Sequence, residues 1–184
     1  MIKFTKKTKT PYEVKSDVSL RKPGYLMGKM TILNADGSIA HEDEHFISNF
    51  ISDEGEANIL NDWLKGTATS TKYLCLLSGT PGETSLITTI SDATTVGLYG
   101  YARVIINTTD WGSTALDSGD MQTSASEKTF GPATSVAWSN ITYVGIITTA
   151  SGSSGEFLRA IALSGTTTVL VGQSLKYTLS MKAS

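Results

Sequence analysis

The residues best suited to chemistry are His41-Glu42-Asp43-Glu44-His45, which match the H-E-x-x-H pattern of zinc proteases. In those enzymes both histidines lie on one helix face and bind one metal ion, while the glutamate acts as a base. Here the segment follows a turn pattern, which predicts the returning strand of a hairpin. Residues four apart on a strand are separated by roughly 13 Å, too far for two ligands of one zinc ion. The chain has no third histidine, so we predict a charged, solvent-facing strand end and no metal site.

Other side chains give no catalytic arrangement. Cys75, the single cysteine, lies between apolar neighbours and is predicted to be reduced, buried and inert. Serine and threonine are too abundant to single out a nucleophile, and a triad would need one of the two histidines above. Trp63, Trp111 and Trp138 are expected to be core or interface residues rather than a platform for sugars or bases. We therefore predict a protein without enzymatic activity, cofactor or metal.

Charge is unevenly distributed along the chain. Residues 1–22 contain seven basic and two acidic side chains, a net charge of +5, whereas the other eight basic and fifteen acidic residues give −7. A basic arm on an acidic body is typical of a tail that grips an acidic surface or nucleic acid, and a solvated terminus is the alternative. We predict an extended arm over residues 1–23 and one domain over 24–184, comprising a hairpin, a helix and a β-sandwich.

The arm is predicted to bind a partner protein. It contains too few apolar residues to fold alone, so we expect disorder in isolation and order along an acidic groove of the partner. DNA is the competing target, because phosphate contacts need only positive charge. The apolar residues among the lysines favour protein. The predicted contact residues are Lys3, Phe4, Lys6, Lys7, Lys9, Tyr12, Arg21 and Lys22.

The fold is expected to be organised around residues 130–148, FGPATSVAWSNITYVGIIT. Apolar residues occupy both parities there, with Ile141 and Tyr143 on one and Val144 and Ile146 on the other. A strand that is apolar on both faces is typical of the middle of a sandwich or barrel. Gly145 within it indicates a bulge or a neighbour in close contact.

The remaining elements are predicted from turns and periodicity. Residues 24–34 and 38–48 form a hairpin around Asn34-Ala35-Asp36-Gly37. An amphipathic helix begins near Asp53 and ends at Gly66. Further strands are expected at residues 72–78, 99–107, 157–163 and 174–181. The predicted fold class is mainly β, an antiparallel β-sandwich with one amphipathic helix and an extended N-terminal arm. Trp63 is expected to pack the helix onto a core of Leu74, Leu76, Trp138, Tyr143, Ile146, Ile161 and Leu179.

Several short stretches, in this order, resemble one family of proteins. They are NILNDWLKG (58–66), YLCLLSGTPGE (73–83), GYARV (100–104), FGPATSVAWSNITYVG (130–145), residues 157–163 and VGQSL (171–175). Together they are similar to the short virion structural proteins of tailed bacteriophages that are labelled tail-fibre, head-fibre or decoration proteins. Pro132 after Gly131, Gln173 in place of the usual aspartate, and the arm with its hairpin depart from the family pattern.

The resemblance implies a non-enzymatic virion component, made in the bacterial cytoplasm, that binds other virion proteins by surface complementarity. Of the two possible roles in the virion, we slightly favour a capsid decoration or cement protein that binds the major capsid protein through the arm. The other role is that of a neck or tail-fibre protein. A carbohydrate-binding module with exposed aromatic residues is the alternative from another class. We also expect a homo-oligomer, with a trimer as the expected form, because exposed strand edges need cover. Neither a membrane nor a nucleic-acid partner is expected.

Overall fold

A computed structural model describes residues 26–46, 50–52, 55, 71–117 and 120–183. The predicted arm lies outside these residues. So does the predicted helix between Asp53 and Gly66, apart from Gly55, and Trp63 with it. In the described part of the chain, no helix is long and apolar enough to cross a membrane.

Two antiparallel sheets form the described fold. The first contains β1 (Leu26–Leu33), β2 (Ile39–Phe46), β7 (Ala115–Asp117), β8 (Asp120–Ser124), β9 (Lys128–Phe130) and β12 (Ser174–Ala183). The second contains β3 (Phe50–Ile51), β4 (Lys72–Ser78), β5 (Ser91–Asp92), β6 (Val104–Ile106), β10 (Trp138–Ile147) and β11 (Phe157–Val169). A short 3-10 helix, Thr108–Asp110, follows β6. The predicted mainly β, antiparallel architecture is confirmed.

Strand order places the two longest pairings at the centre of the sheets. The first sheet runs β2-β1-β12-β8-β7, with β9 also on β12, and the second runs β3-β11-β10-β4-β5, with β6 also on β4. β10 therefore lies in the middle of the second sheet, as its two apolar faces predict. β1 pairs with β12 from Leu26↔Met181 to Leu33↔Ser174, so the N-terminal hairpin is part of the sandwich.

The main core lies between the sheets. It includes Met30, Ile32, Phe130, Leu175, Tyr177 and Leu179 from the first sheet and Leu74, Leu76, Trp138, Ile141, Val144, Ile161 and Val169 from the second. Burying a side chain of this kind contributes about 1.5–3 kcal/mol to the free energy of unfolding. Of the predicted core, Leu74, Leu76, Trp138, Ile161 and Leu179 are confirmed as buried.

Two predicted core residues on β10 need correction. Tyr143 is half-buried and packs on the outer face of the second sheet, against a smaller cluster formed by Cys75, Leu77, Ile87, Ile147, Phe157 and Ala160. Ile146 faces the main core but is only partly buried. The position of Tyr143 follows from irregular pairing, since the register of β10 shifts between Ile141 and Tyr143 against both β4 and β11. An extra residue at this point puts Tyr143 on the face opposite to Ile141.

Gly145 is explained by a close approach, as its position in mid-strand indicates. It pairs with Cys75 of β4. A Cβ atom at this residue would lie 2.8 Å from the Cys75 sulfur and 2.8 Å from the Leu77 Cδ1 atom. Cys75 and Leu77 of the outer cluster can therefore pack this closely against β10 only because residue 145 has no side chain.

The predicted strand over residues 99–107 is wrong in its first half. Only Val104–Ile106 forms a strand, β6. Tyr99 and Gly100 have φ angles of 52° and 77°, which belong to a left-handed turn and not to extended backbone. This turn places the aromatic ring of Tyr101 in the core.

Candidate functional site

The H-E-x-x-H residues lie on strand β2, as predicted from the turn before them. His41 and Glu42 are exposed, and Glu42 forms an ion pair with Lys29 of β1 in which both side chains remain about half exposed. Asp43 accepts a hydrogen bond from the Ser164 hydroxyl at 2.6 Å. Among the described residues, no group of three or more His, Cys, Asp or Glu side chains is placed to hold a metal ion.

Cys75 is fully buried and not disulfide-bonded. Burial raises the pKa of its thiol, and the nearby Asp92 carboxylate raises it further. Because the thiolate is the reactive form, this cysteine is suited to packing. The predicted arm contacts cannot be placed in the same way, because Lys3, Phe4, Lys6, Lys7, Lys9, Tyr12, Arg21 and Lys22 lie outside the described residues.

Tyr101 connects the family-like stretch at 100–104 to the core. Its ring stacks on Phe130 with centroids 6.2 Å apart and meets the edge of Trp138 at 5.4 Å. Its hydroxyl accepts a hydrogen bond from the Leu76 amide at 2.9 Å and donates to the Asp92 carboxylate at 2.6 Å. The pKa of this phenol is raised, first by burial and then by neighbouring Cys75 and Asp92. The phenol therefore stays protonated and can act as donor to Asp92.

Arg103 extends this hydrogen-bond network to the loop at residues 149–152. Its guanidinium contacts both oxygens of Asp92, at 2.6 and 3.3 Å, and donates to the carbonyls of Thr149 and Gly152. Burial is the largest single effect on the pKa of this group and lowers it, but the hydrogen bonds and charge of Asp92, with smaller contributions from Cys75 and Tyr101, together outweigh burial, so the pKa is raised. Arg103 and Asp92 thus form a buried, bidentate ion pair within residues 91–103. The hydrogen bonds from Arg103 to the two carbonyls connect this segment to residues 149–152. Sequence reasoning did not identify Asp92, which lies in a Thr-rich stretch without clear periodicity.

Three loops, one of which overlaps the segment just described, are joined by hydrogen bonds at one end of the sandwich. The Tyr99 carbonyl accepts from the Trp138 indole at 3.0 Å and from the Thr134 amide at 2.9 Å. The Ala133 amide donates to the Gln173 carbonyl and the Gly172 amide donates to the Ala133 carbonyl, both at 2.8 Å. We call this surface, made of residues 93–101, 131–137 and 170–173, the loop end. Three of the family-like stretches, at 100–104, 130–145 and 171–175, therefore meet there.

Gln173 shows why an amide can replace the usual aspartate at this position. Its side-chain oxygen accepts from the Leu170 amide at 2.9 Å, which a carboxylate could also do. Its side-chain nitrogen donates to the Asn34 side chain at 3.0 Å, which a carboxylate could not do. Gln173, which departs from the family pattern, thus connects the loop end to the turn of the N-terminal hairpin.

The loop end exposes apolar side chains and carries no charge. Of the nine large apolar side chains that are exposed in the described residues, five belong to it. They are Leu98, Tyr99, Val136, Leu170 and Val171, between 40% and 55% exposed. None of its residues is Asp, Glu, Lys or Arg. Apolar surface with depleted charge is characteristic of the centre of protein interfaces. Sequence analysis missed these residues, although uncharged Gly-rich loops containing Leu, Val and Tyr are visible in the sequence.

The aromatic residues favour this interpretation over a sugar-binding platform. Trp138 is fully buried and Trp111 is partly buried against the main core. Among the described aromatic side chains, Tyr99 is the one exposed to a large extent. Stacking on sugars generally needs exposed aromatic faces, which buried Trp138 does not offer and Trp111 offers only in part.

Arg159 is an unusual buried cation on β11. It is 9% exposed, and its Nε and Nη2 atoms have no hydrogen-bond partner among the described residues. Burial lowers the pKa of its guanidinium to about 10, so the side chain keeps its charge at neutral pH. It pairs with Ile146 and Ile51 at the edge of the main core.

Comparison with known families identifies a match over most of the chain. Residues 50–181 match the family model described as podophage GP4 fiber I protein gp80. The matched span begins at β3 and ends within β12, so it contains the loop end, the Asp92–Arg103 pair and the whole second sheet. No curated protein matches the chain.

Proposed function

We propose that this chain, which belongs to the podophage GP4 fiber I protein gp80 family, is a fibre component of a podophage virion. Membership makes it a tailed-phage virion structural protein, as the family-like stretches predicted. The single observation that carries the finer assignment is the match from residue 50 to residue 181, because it covers the whole second sheet and four of the six strands of the first, and names a fibre protein.

The described structure supports a binding role without catalysis. Its buried polar network of Tyr101, Asp92 and Arg103 is saturated by internal hydrogen bonds. Such a network holds the loops in place. We therefore propose that the protein works by surface complementarity to other virion proteins, with the basic arm as its attachment to an acidic partner surface.

A capsid decoration role is the second candidate. The observation that favours it is the distribution of charge, +5 in residues 1–22 and −7 in the rest. An arm of this kind can reach across the junction of neighbouring capsid subunits, while the acidic body remains outside.

The copy number per particle tests the two roles against each other. We expect quantitative mass spectrometry of purified virions to find a few dozen copies or fewer of this chain, the number that a fibre allows. Peptides of the major capsid protein and of a tail protein serve as internal standards. Hundreds of copies would contradict the fibre assignment and support decoration, and absence from purified particles would contradict both.

A further inference from the structure

We propose that the loop end is the surface through which copies of this chain associate with one another. The proposal goes beyond the family assignment and holds whether the protein belongs to the fibre or to the capsid shell. It predicts an interface centred on Leu98, Tyr99, Val136, Leu170 and Val171, with the polar side chains of the same three loops around them.

Exposed apolar side chains are clustered at the loop end. Elsewhere in the described residues, the exposed large apolar side chains are single and dispersed on β2, β6, β7 and the 79–90 loop. At the loop end, five of them lie on three loops that hydrogen bonds hold against one another. Isolated apolar side chains are normal on a protein surface, whereas a contiguous group indicates an interface.

The distribution of charge favours a second copy of the chain as the occupant of the loop end. Residues 23–184 carry a net charge of −7, so most contacts between two copies of this body would bring like charges together. The loop end is free of charged residues, and two copies can meet there without repulsion. The neighbouring Asp92 carboxylate is paired with Arg103, and Asp36, in the turn that borders Gln173, is exposed. A partner of opposite charge would gain no electrostatic attraction at such a surface.

The three loops of the loop end are held in place by internal contacts. The Tyr101 ring contacts Phe130 and Trp138 in the core, and Gln173 connects the 170–173 turn to Asn34 by a hydrogen bond. A surface that is already ordered loses little conformational entropy when it binds. Exposed apolar side chains on ordered loops therefore suit a permanent contact between subunits.

Self-association of the purified full-length chain tests the proposal. We expect sedimentation velocity over a concentration series to show a reversible or stable oligomer of the wild-type chain. Val136→Glu and Val171→Glu, on two different loops, should each weaken association roughly 100-fold, because burying a carboxylate without a partner is strongly unfavourable. Both side chains are about half exposed in the monomer, so circular dichroism should show unchanged folding.

The matched control is Leu116→Glu, which adds the same charge at a side chain that is 71% exposed. It lies on β7 and pairs with Met121, at the opposite end of β12 from Gln173. This variant should associate like the wild type. The proposal is overturned if the wild type stays monomeric at about 1 mM, if the two loop-end variants associate normally, or if the control loses association equally.

Cross-linking in particles separates this interface from attachment to another protein. Val171→Cys should form a cross-link to a second copy of the chain when virions are treated with a short bifunctional maleimide. Buried Cys75 should not react. A cross-link to a different virion protein would overturn self-association while leaving the fibre assignment intact, since the latter depends on copy number.

Discussion

Gly100 is the residue on which the geometry of the loop end depends most directly. Its φ angle is +77°, and a Cβ atom there would lie 2.1 Å from the carbonyl oxygen of Pro132. Gly100→Ala must therefore either move the 131–137 loop or abandon the turn that inserts Tyr101 into the core. We expect the free energy of unfolding to fall by roughly 3 kcal/mol or more, combining left-handed strain with a backbone clash.

Gly97 supplies the control within the same loop. Its φ angle is +86°, and nothing lies within 4 Å of the position that a Cβ atom would take. Gly97→Ala should lose only about 1–2 kcal/mol, the penalty of the left-handed conformation alone. Urea unfolding followed by tryptophan fluorescence measures both values, since Trp138 is buried in the core. Equal losses in the two variants would show that contact with Pro132 is not what requires glycine at position 100.

At the scale of the element, strand β10 shows what the sequence could and could not predict. Its apolar residues on both parities identified the central strand correctly. The same alternation placed Tyr143 in the main core, which is wrong, because the bulges on either side of Ile141 change the face of the residues that follow. A bulge depends on pairing with β4 and β11, and so on residues distant in sequence.

The two isoleucines of β10 test this assignment with identical substitutions. Ile141 is fully buried, whereas Ile146 is partly exposed at the margin of the same cluster. Ile141→Ala should lower the free energy of unfolding by about 3–5 kcal/mol and Ile146→Ala by about 1–2 kcal/mol, because the cavity at the margin is partly open to solvent. Chemical denaturation of both variants gives the comparison. A larger loss at Ile146 would mean that the register of β10 differs from the one described.

Turns and loops divide into those with local causes and those without. The hairpin turn at 34–37 was predictable, because Asp36 accepts hydrogen bonds from the Ser38 amide and hydroxyl within the turn itself. The loop end was not predictable, since its shape rests on contacts between residues as far apart as Tyr99 and Trp138, or Asn34 and Gln173. The chemistry of this site therefore became visible only when the sheets had brought the loops together.

At the scale of the whole molecule, the N-terminal hairpin lies outside the family match but belongs to the described fold. The family match starts at residue 50, yet β1 pairs with β12 from Leu26 onward, and Met30 and Ile32 are buried in the main core. Removing the hairpin would expose this core. Residues 1–22 precede the first pairing, so their removal leaves every described strand pairing intact.

The arm can therefore be deleted without removing any described core residue. We expect a chain lacking residues 2–22 to melt at nearly the temperature of the full chain by differential scanning calorimetry. Its incorporation into particles, measured in phages that carry the truncated gene, should be abolished. In our proposal the lysines supply attraction to an acidic partner, while Phe4 and Tyr12 supply apolar area to bury.

A second variant separates these two contributions. Replacing the seven basic residues of the arm by glutamine keeps its length and its apolar residues but removes the attraction. Incorporation should fall strongly and should no longer depend on ionic strength, since screening acts on charge. Normal incorporation of the deletion would exclude the arm as the anchor. Tight, salt-sensitive DNA binding by the intact chain, lost in the glutamine variant, would instead make nucleic acid the target of the arm.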